Sequence, residues 1–273
     1  MNLVRSELLK IRTTSTWWIL ALIYLPLWGI TLFFNYVQSD QLVNGDLSQV
    51  PADQTDAIEA VSQPDSLTAN LFTNGQFMGL MMVMLLGIIV VTSEFFHQTV
   101  TTTFLTAPHR SAVMLAKLVA AAGLGLLFWL VTTAANLLAG SAVLGGIGVE
   151  TSYGSAVWEA VGLNGLAYLL WAILGVGLGV LIRSQIGATV TGILLYLGGS
   201  IGAVIIISTL AARFGDWINN LQLAVPSLAS SLMVAGTDIP GNPPRWAGAA
   251  VLIGYAVVAG VVGTLMVRRR DIS

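Results

Sequence analysis

No cysteine occurs in the 273 residues, which excludes disulfides and thiolate-ligated metal centres. Charge is nearly as scarce: Asp, Glu, Lys and Arg make up 9% of the chain against 56% hydrophobic residues, and the mean hydropathy is +0.84. A soluble domain of this length has no interior large enough for so much apolar surface. The two histidines, His97 and His109, lack the neighbouring carboxylates and cysteines of a metal site and read as solvated or interface side chains. There is no Gly-x-Ser-x-Gly elbow, no phosphate-binding loop and no HExxH, so neither hydrolase chemistry nor nucleotide binding finds a seat on this chain.

What the sequence has instead is apolar length. Six runs stand out: Trp17 to Val37, Leu71 to Thr92, Leu115 to Leu137, Val161 to Ile182, Ile186 to Leu210, and Trp246 to Val267. Each holds about 21 to 25 residues, enough to cross about 30 Å of hydrocarbon as a helix. The first follows a basic segment, as a signal peptide would, but it is too long and ends in FFNYVQSD without a small-x-small cleavage site, so it reads as a retained span. Arg5, Lys10, Arg12, Arg110, Lys117, Arg183 and Arg268 to Arg270 flank one side of the six runs, and only Arg213 and Arg245 flank the other. That asymmetry predicts a bacterial cytoplasmic membrane protein with both termini in the cytoplasm. Asp40, Asp46, Asp53, Asp56, Glu59 and Asp65 gather in the first outer loop, which argues against nucleic acid as a partner.

The chain reads as one domain, residues 1–273, with an all-α polytopic fold. Residues Asn2 to Arg12 set Val4, Leu8 and Ile11 on one face and Arg5, Lys10 and Arg12 towards the other, the pattern of a helix lying in the inner interface. Trp17 and Trp18 follow at headgroup depth, and Pro26 is expected to kink or loosen the first span. The outer loop over 38–70 reads as solvated, with a short helix around Ala57 to Val61. Residues 140–158 are too broken by Gly and Ser to span, and Arg183, Ser184 and Gln185 form a tight inner turn. In the outer amphipathic segment, 211–245, Phe214, Trp217, Ile218 and Leu221 follow i, i+3, i+4, i+7 spacing before Pro226, which predicts two short re-entrant or interfacial helices before the last span; an ordinary loop packed on the bundle fits the spacing equally.

Ionisable groups at membrane depth usually mark function, because each costs roughly 2.5 to 3.5 kcal/mol to insert near the bilayer centre. The six runs contain essentially none. Glu94 and Lys117 stand at inner ends and Glu159 at an outer end, and Asn136 and Asn164 are expected to hydrogen-bond between helices. Gly175 and Gly179 have small-xxx-small spacing. They, and the glycines of the fifth span, are expected to supply close contacts between two subunits, with the apolar 214–234 segment as an outer lid.

The connector between the second and third spans, 93–112, is the informative segment: SEFFHQTVTTTFLTAPHR. Glu94 stands at the membrane exit, a short amphipathic element carries Thr101, Phe104 and Leu105, and Pro108 stops it. Such a stub helix lies across the inner surface and offers apolar knobs to a soluble partner. Glu94 is expected to pair with Arg110 or Lys117 and orient it.

Here the chain resembles the permease subunit of type-2 ABC exporters, in which an E-[FY]-x-x-[GQ]-T-like segment after the second span leads into a coupling helix. Glu94, Phe95, Gln98 and Thr99 match it, with Gln98 where glycine is often found. The resemblance extends along the chain through the N-terminal amphipathic helix, the six spans, LGVGLGVLIRSQIGA at Leu174 to Ala188, and the apolar segment before the last span. It implies a non-catalytic half-transporter that binds no cofactor itself. Two permease subunits, identical or paralogous, would enclose the pathway, and two separate ATP-binding subunits, carrying ATP and Mg, would dock on the coupling segment formed by Glu94, Phe95, His97, Gln98, Thr99, Thr101, Phe104 and Leu105. The uncharged spans point to a hydrophobic, drug-like, lipid-like or peptide cargo. An ion-coupled secondary transporter is the alternative, disfavoured by the missing mid-membrane carboxylates; an intramembrane enzyme lacks a nucleophile and base.

Overall fold

The computed structural model describes residues 3–46, 55–106, 109–238 and 241–269. All of its regular elements are helical, and no strand occurs among the described residues. In order they are α1 (Leu3–Thr13), α2 (Thr16–Asn44), α3 (Thr55–Ser62), α4 (Pro64–Phe72), α5 (Gln76–Phe96), α6 (Val100–Thr106), α7 (Arg110–Gly146), α8 (Ser155–Leu181) and α9 (Gln185–Ile193). A π-turn, Leu194–Gly198, carries α9 into α10 (Gly199–Phe214); a 3₁₀ segment, Asp216–Ala224, then leads to α11 (Pro226–Val234) and α12 (Arg245–Arg269). Six helical stretches are long and apolar enough to cross a membrane: α2, α4 with α5, α7, α8, α9 with α10, and α12.

The centre of the bundle is α5 against α8. Both are apolar on every side, the pattern of a fully enclosed helix, and they bury 78% and 61% of their apolar windows, against 6% for α2, 22% for α9–α10 and 17% for α12. Gly175 and Gly179 let the two backbones meet: a Cβ at Gly175 would collide with the Met84 carbonyl oxygen, and one at Gly179 would stand 2.8 Å from that of Ile88. These glycines therefore pack inside the bundle and not between subunits. In α10, Gly199 and Gly202 face open space.

The first outer loop is less of a loop than its polar composition predicts. Helix α2 continues to Asn44, and α4 is buried: Leu67 and Leu71 join Leu144 and Ile147, while Phe72 packs with Val157 and Val161. Ser66 and Thr68, polar residues within the stretch that reads as solvated, are turned inward and bonded. Thr68 Oγ1 accepts the Ser152 amide at 3.2 Å, and the Asp65 carboxylate accepts the Ser152 hydroxyl. Thr73 to Gly75 breaks the helix between α4 and α5; Gly75 has φ +74°, in the left-handed region, and any Cβ there would meet the Tyr24 hydroxyl. Residues Asp216–Ala224 wind as 3₁₀ at three residues per turn, so the α-spaced stripe dissolves: Ile218 is buried, while Phe214, Trp217 and Leu221 are exposed.

One end of the bundle carries α1, α6, the 182–184 turn and the end of α12. Arg110 donates to the Val267 carbonyl at 3.4 Å, and the Arg183 guanidinium stands 6.0 Å from the Phe95 ring centre. The far end carries α3, α4, residues 147–154 and α11.

Candidate functional site

Four charged side chains meet at the α1 end, and they form a closed ring. Glu7 Oε1 accepts Lys10 Nζ at 2.7 Å; Lys10 Nζ reaches Glu94 Oε1 at 2.5 Å; Glu94 Oε1 lies 2.9 Å from Lys117 Nζ; Lys117 Nζ returns to Glu7 Oε2 at 2.8 Å. Signs alternate around the ring and the net charge is zero. The Glu7, Glu94 and Lys117 side chains are 5%, 7% and 6% exposed and that of Lys10 43%, so one ammonium reaches water and three groups do not. Lys117 is further satisfied by the Val90 carbonyl at 3.3 Å.

The folding of each segment places each charge. Glu7 and Lys10 are one turn apart on α1 and share a face. That face, and not the one defined by Leu8, docks on α7: Glu7 is 4% exposed and Leu8 43%. Lys117 stands two turns into α7, where the apolar run gives its ammonium no water and hence no alternative to a carboxylate. Glu94 takes Lys10 and, of the two partners expected from the sequence, Lys117; Arg110 donates to the Val267 carbonyl of α12. Burial alone would lower the Lys10 ammonium, but the hydrogen bonds and charges of Glu7 and Glu94 raise it above its ordinary value of 10.5. Removing one member of such a buried set strands the opposite charge, at about 3–5 kcal/mol, whereas the intact set adds little net stability, so the ring acts mainly to fix α1 in one register.

Helix α6 hangs from the same carboxylate residue. The Thr99 amide donates to the Glu94 carbonyl at 2.9 Å, and the Thr103 hydroxyl donates to Glu94 Oε1 at 3.4 Å. Between them Gln98 adopts φ +56°, the only positive φ at a non-glycine among the described residues. Glycine enters that region without strain, which explains physically why the position suits it. His97 ends α5, its ring edge-on to Phe96 at 5.1 Å, and lines a small crevice with Glu7 and Lys10. Phe95, His97, Gln98, Thr99, Thr101 and Leu105 are all exposed, Leu105 at 78%; the Phe104 side chain lies outside the described ones. Among the described side chains of the sequence-derived set, Glu94 is the buried one. No cluster of three metal-ligating side chains occurs among the described residues.

Sequence reasoning missed Glu7 and the role of Lys10. A signal was present: Glu94 and Lys117 are lone charges at the same end of apolar runs, and a short helix with its own Glu and Lys three residues apart stands at that end.

A helical bundle with six membrane-length segments defines a multi-pass, all-helical membrane protein. The chain belongs to the DUF2705 family, described as a protein of unknown function, whose profile matches residues 49–273. That match takes in α3 to α12 and leaves α1 and α2 outside it, so it includes Glu94 and Lys117 but not Glu7 and Lys10. No curated protein matches the chain.

Proposed function

We propose that this chain is the membrane-spanning subunit of an ATP-driven ABC exporter in a bacterial cytoplasmic membrane, with the α1 end in the cytoplasm. The observation that carries the reading is α6. It is a short helix that follows the second span, is hydrogen-bonded to Glu94 through Thr103 and through Thr99 just before it, and presents Leu105 to solvent at 78% exposure. An apolar knob on a helix anchored to a rigid ion ring suits a cleft on a soluble motor subunit. A push on α6 is passed through Glu94 to Lys117 of α7 and to α1, so three elements move as one body and not as a loose connector. Two ATP-binding subunits supply ATP and Mg, and two permease subunits enclose the pathway. The sparse burial of α2, α9–α10 and α12 gives that second subunit room to pack. Among the described residues the buried acids are Glu7 and Glu94, both at this end, which speaks against a mid-membrane ion relay.

The test is co-purification from native membranes. The tagged wild-type chain carries an ATP-binding subunit with it; Phe104→Asp/Leu105→Asp, which alters an exposed element, loses that subunit while keeping its expression level and monodispersity. If the wild type brings down no ATPase, or the double variant retains it fully, the reading fails.

A further inference from the structure

One side of α2 lines two neighbouring recesses. Residues 17, 21, 24, 28, 31, 35 and 38 recur every three or four positions and so form a single stripe. Along the first half, Trp17, Tyr24 and Trp28 line an apolar groove of about 330 Å³ against α7, with Phe128 and Val131 opposite. Along the second half, Thr31, Asn35 and Gln38 line a cleft of about 410 Å³ against the α4–α5 break and the end of α11. At 1.5 Å per residue the groove runs for roughly 16 Å, about half the hydrocarbon thickness.

Among the described residues the cleft lining contains no charged side chain, yet it gathers five amides. Three are held in place by the bundle. Asn35 Nδ2 donates to Asn74 Oδ1 at 2.7 Å, Asn74 Nδ2 to the Trp28 carbonyl at 3.4 Å, and Gln76 Nε2 to the Ser230 carbonyl at 3.3 Å. Behind them Asn136, 1% exposed, accepts the Trp28 indole N–H at 2.6 Å and donates to the Phe72 and Asn74 carbonyls. The other two, Gln38 and Asn70, are exposed and make no side-chain hydrogen bond among the described residues. An amide offers a donor and an acceptor but no charge, so it pairs with hydroxyls and amides and gives an ion no compensation for lost water.

We propose that this stripe binds a neutral amphiphile: a lipid whose headgroup carries hydroxyls or amides and no net charge, with the head between Asn35, Gln38 and Asn70 and the chain along Tyr24 and Trp28. As a statement about cargo the proposal rests on the exporter reading; as a binding site it does not. The apolar groove alone would take any acyl chain, and the adjoining amides supply the selection.

The experiment uses the full chain in phosphatidylcholine nanodiscs and two probes with the same diazirine-bearing acyl chain, one a glucosyl diacylglycerol and one a phosphatidylglycerol. The glucosyl probe labels peptides from α2 around Tyr24 to Trp28 and from α7 around Phe128 to Val131, and the anionic probe labels them far less. Gln38→Leu/Asn70→Leu lowers glucosyl labelling about tenfold, the size expected for two lost neutral hydrogen bonds, at an unchanged melting temperature. Ala21→Phe, which narrows the groove, lowers labelling on the same peptides. Equal labelling by the two probes, undiminished labelling in the amide variant, or protection by an uncharged hydrophobic peptide but not by unlabelled glucosyl lipid would each overturn the proposal. Binding without ATPase association leaves this site standing and removes the exporter reading; association without selective binding does the reverse.

Discussion

Lys117 and Glu7 lie 110 positions apart and meet at 2.8 Å with both side chains buried, which makes the N-terminal helix a structural part of the third span. Because each also touches a second partner of opposite sign, the pair does not behave as an isolated salt bridge.

Lys117→Met leaves Glu7 and Glu94 sharing the half-exposed Lys10 alone. The cost is about 3–5 kcal/mol, read as a lower melting temperature in detergent by fluorescence-detected size exclusion. A variant as stable as wild type would contradict the ring.

The exchange Glu7→Lys/Lys117→Glu separates a ring from a pair. In a lone pair the exchange restores attraction. In the alternating ring it sets a second ammonium beside Lys10 and a second carboxylate beside Glu94, so stability is not recovered and falls at least as far as in Lys117→Met. Full rescue would mean that Lys10 and Glu94 do not take part.

Gln98 bears a left-handed backbone that glycine enters freely. Gln98→Gly is expected to hold or raise stability by about 1 kcal/mol, and Gln98→Val to lower it by a similar amount or more. Hydrogen exchange of the 99–106 amides reports this directly: slower or unchanged in the glycine variant and faster in the valine variant.

The Lys10 ammonium is raised above 10.5, so its contribution to α1 docking is fully present below the unfolded value and is lost only as pH rises through the higher folded one. Spin labels at Leu8 and Leu115 should keep one distance from pH 7 to beyond pH 9, by double electron–electron resonance, and separate only in strong alkali. In Lys10→Gln the alkaline step disappears. A wild-type separation between pH 7 and 9 would refute the assignment.

Gly175→Val forces a side chain into the Met84 carbonyl and costs about 1–3 kcal/mol or more, lowering the yield of folded chain. Gly202→Val meets nothing within 4 Å and is expected to fold normally. The reverse ranking would return Gly175 to a subunit interface.

The spans were legible because a membrane helix is specified by length and apolarity, both local properties of a run. The connector after Phe96 was legible for a similar reason, since Pro108 and the Thr-rich stretch bound a short element. What escaped were the properties set by partners distant in sequence. Ser66 and Thr68 look solvated until the segments that share their hydrogen bonds are known, so most of α4 read as loop. Glu7 looks like one charge among several on a surface helix, and only the position of Lys117 makes it an interior residue. The π-turn at Leu194–Gly198 has no marker in its all-apolar sequence.

The ring also imposes an order on biosynthesis. Glu7 leaves the ribosome 110 residues before Lys117, an interval of about 5 to 20 s at ordinary elongation rates. During that time its carboxylate has Lys10 for company but no buried seat. Helix α1 therefore waits in the wet interface while the first two spans enter the bilayer, and it is seated only when the third arrives. Helix α1, made before the spans it docks on, is among the last parts of its end of the bundle to be finished.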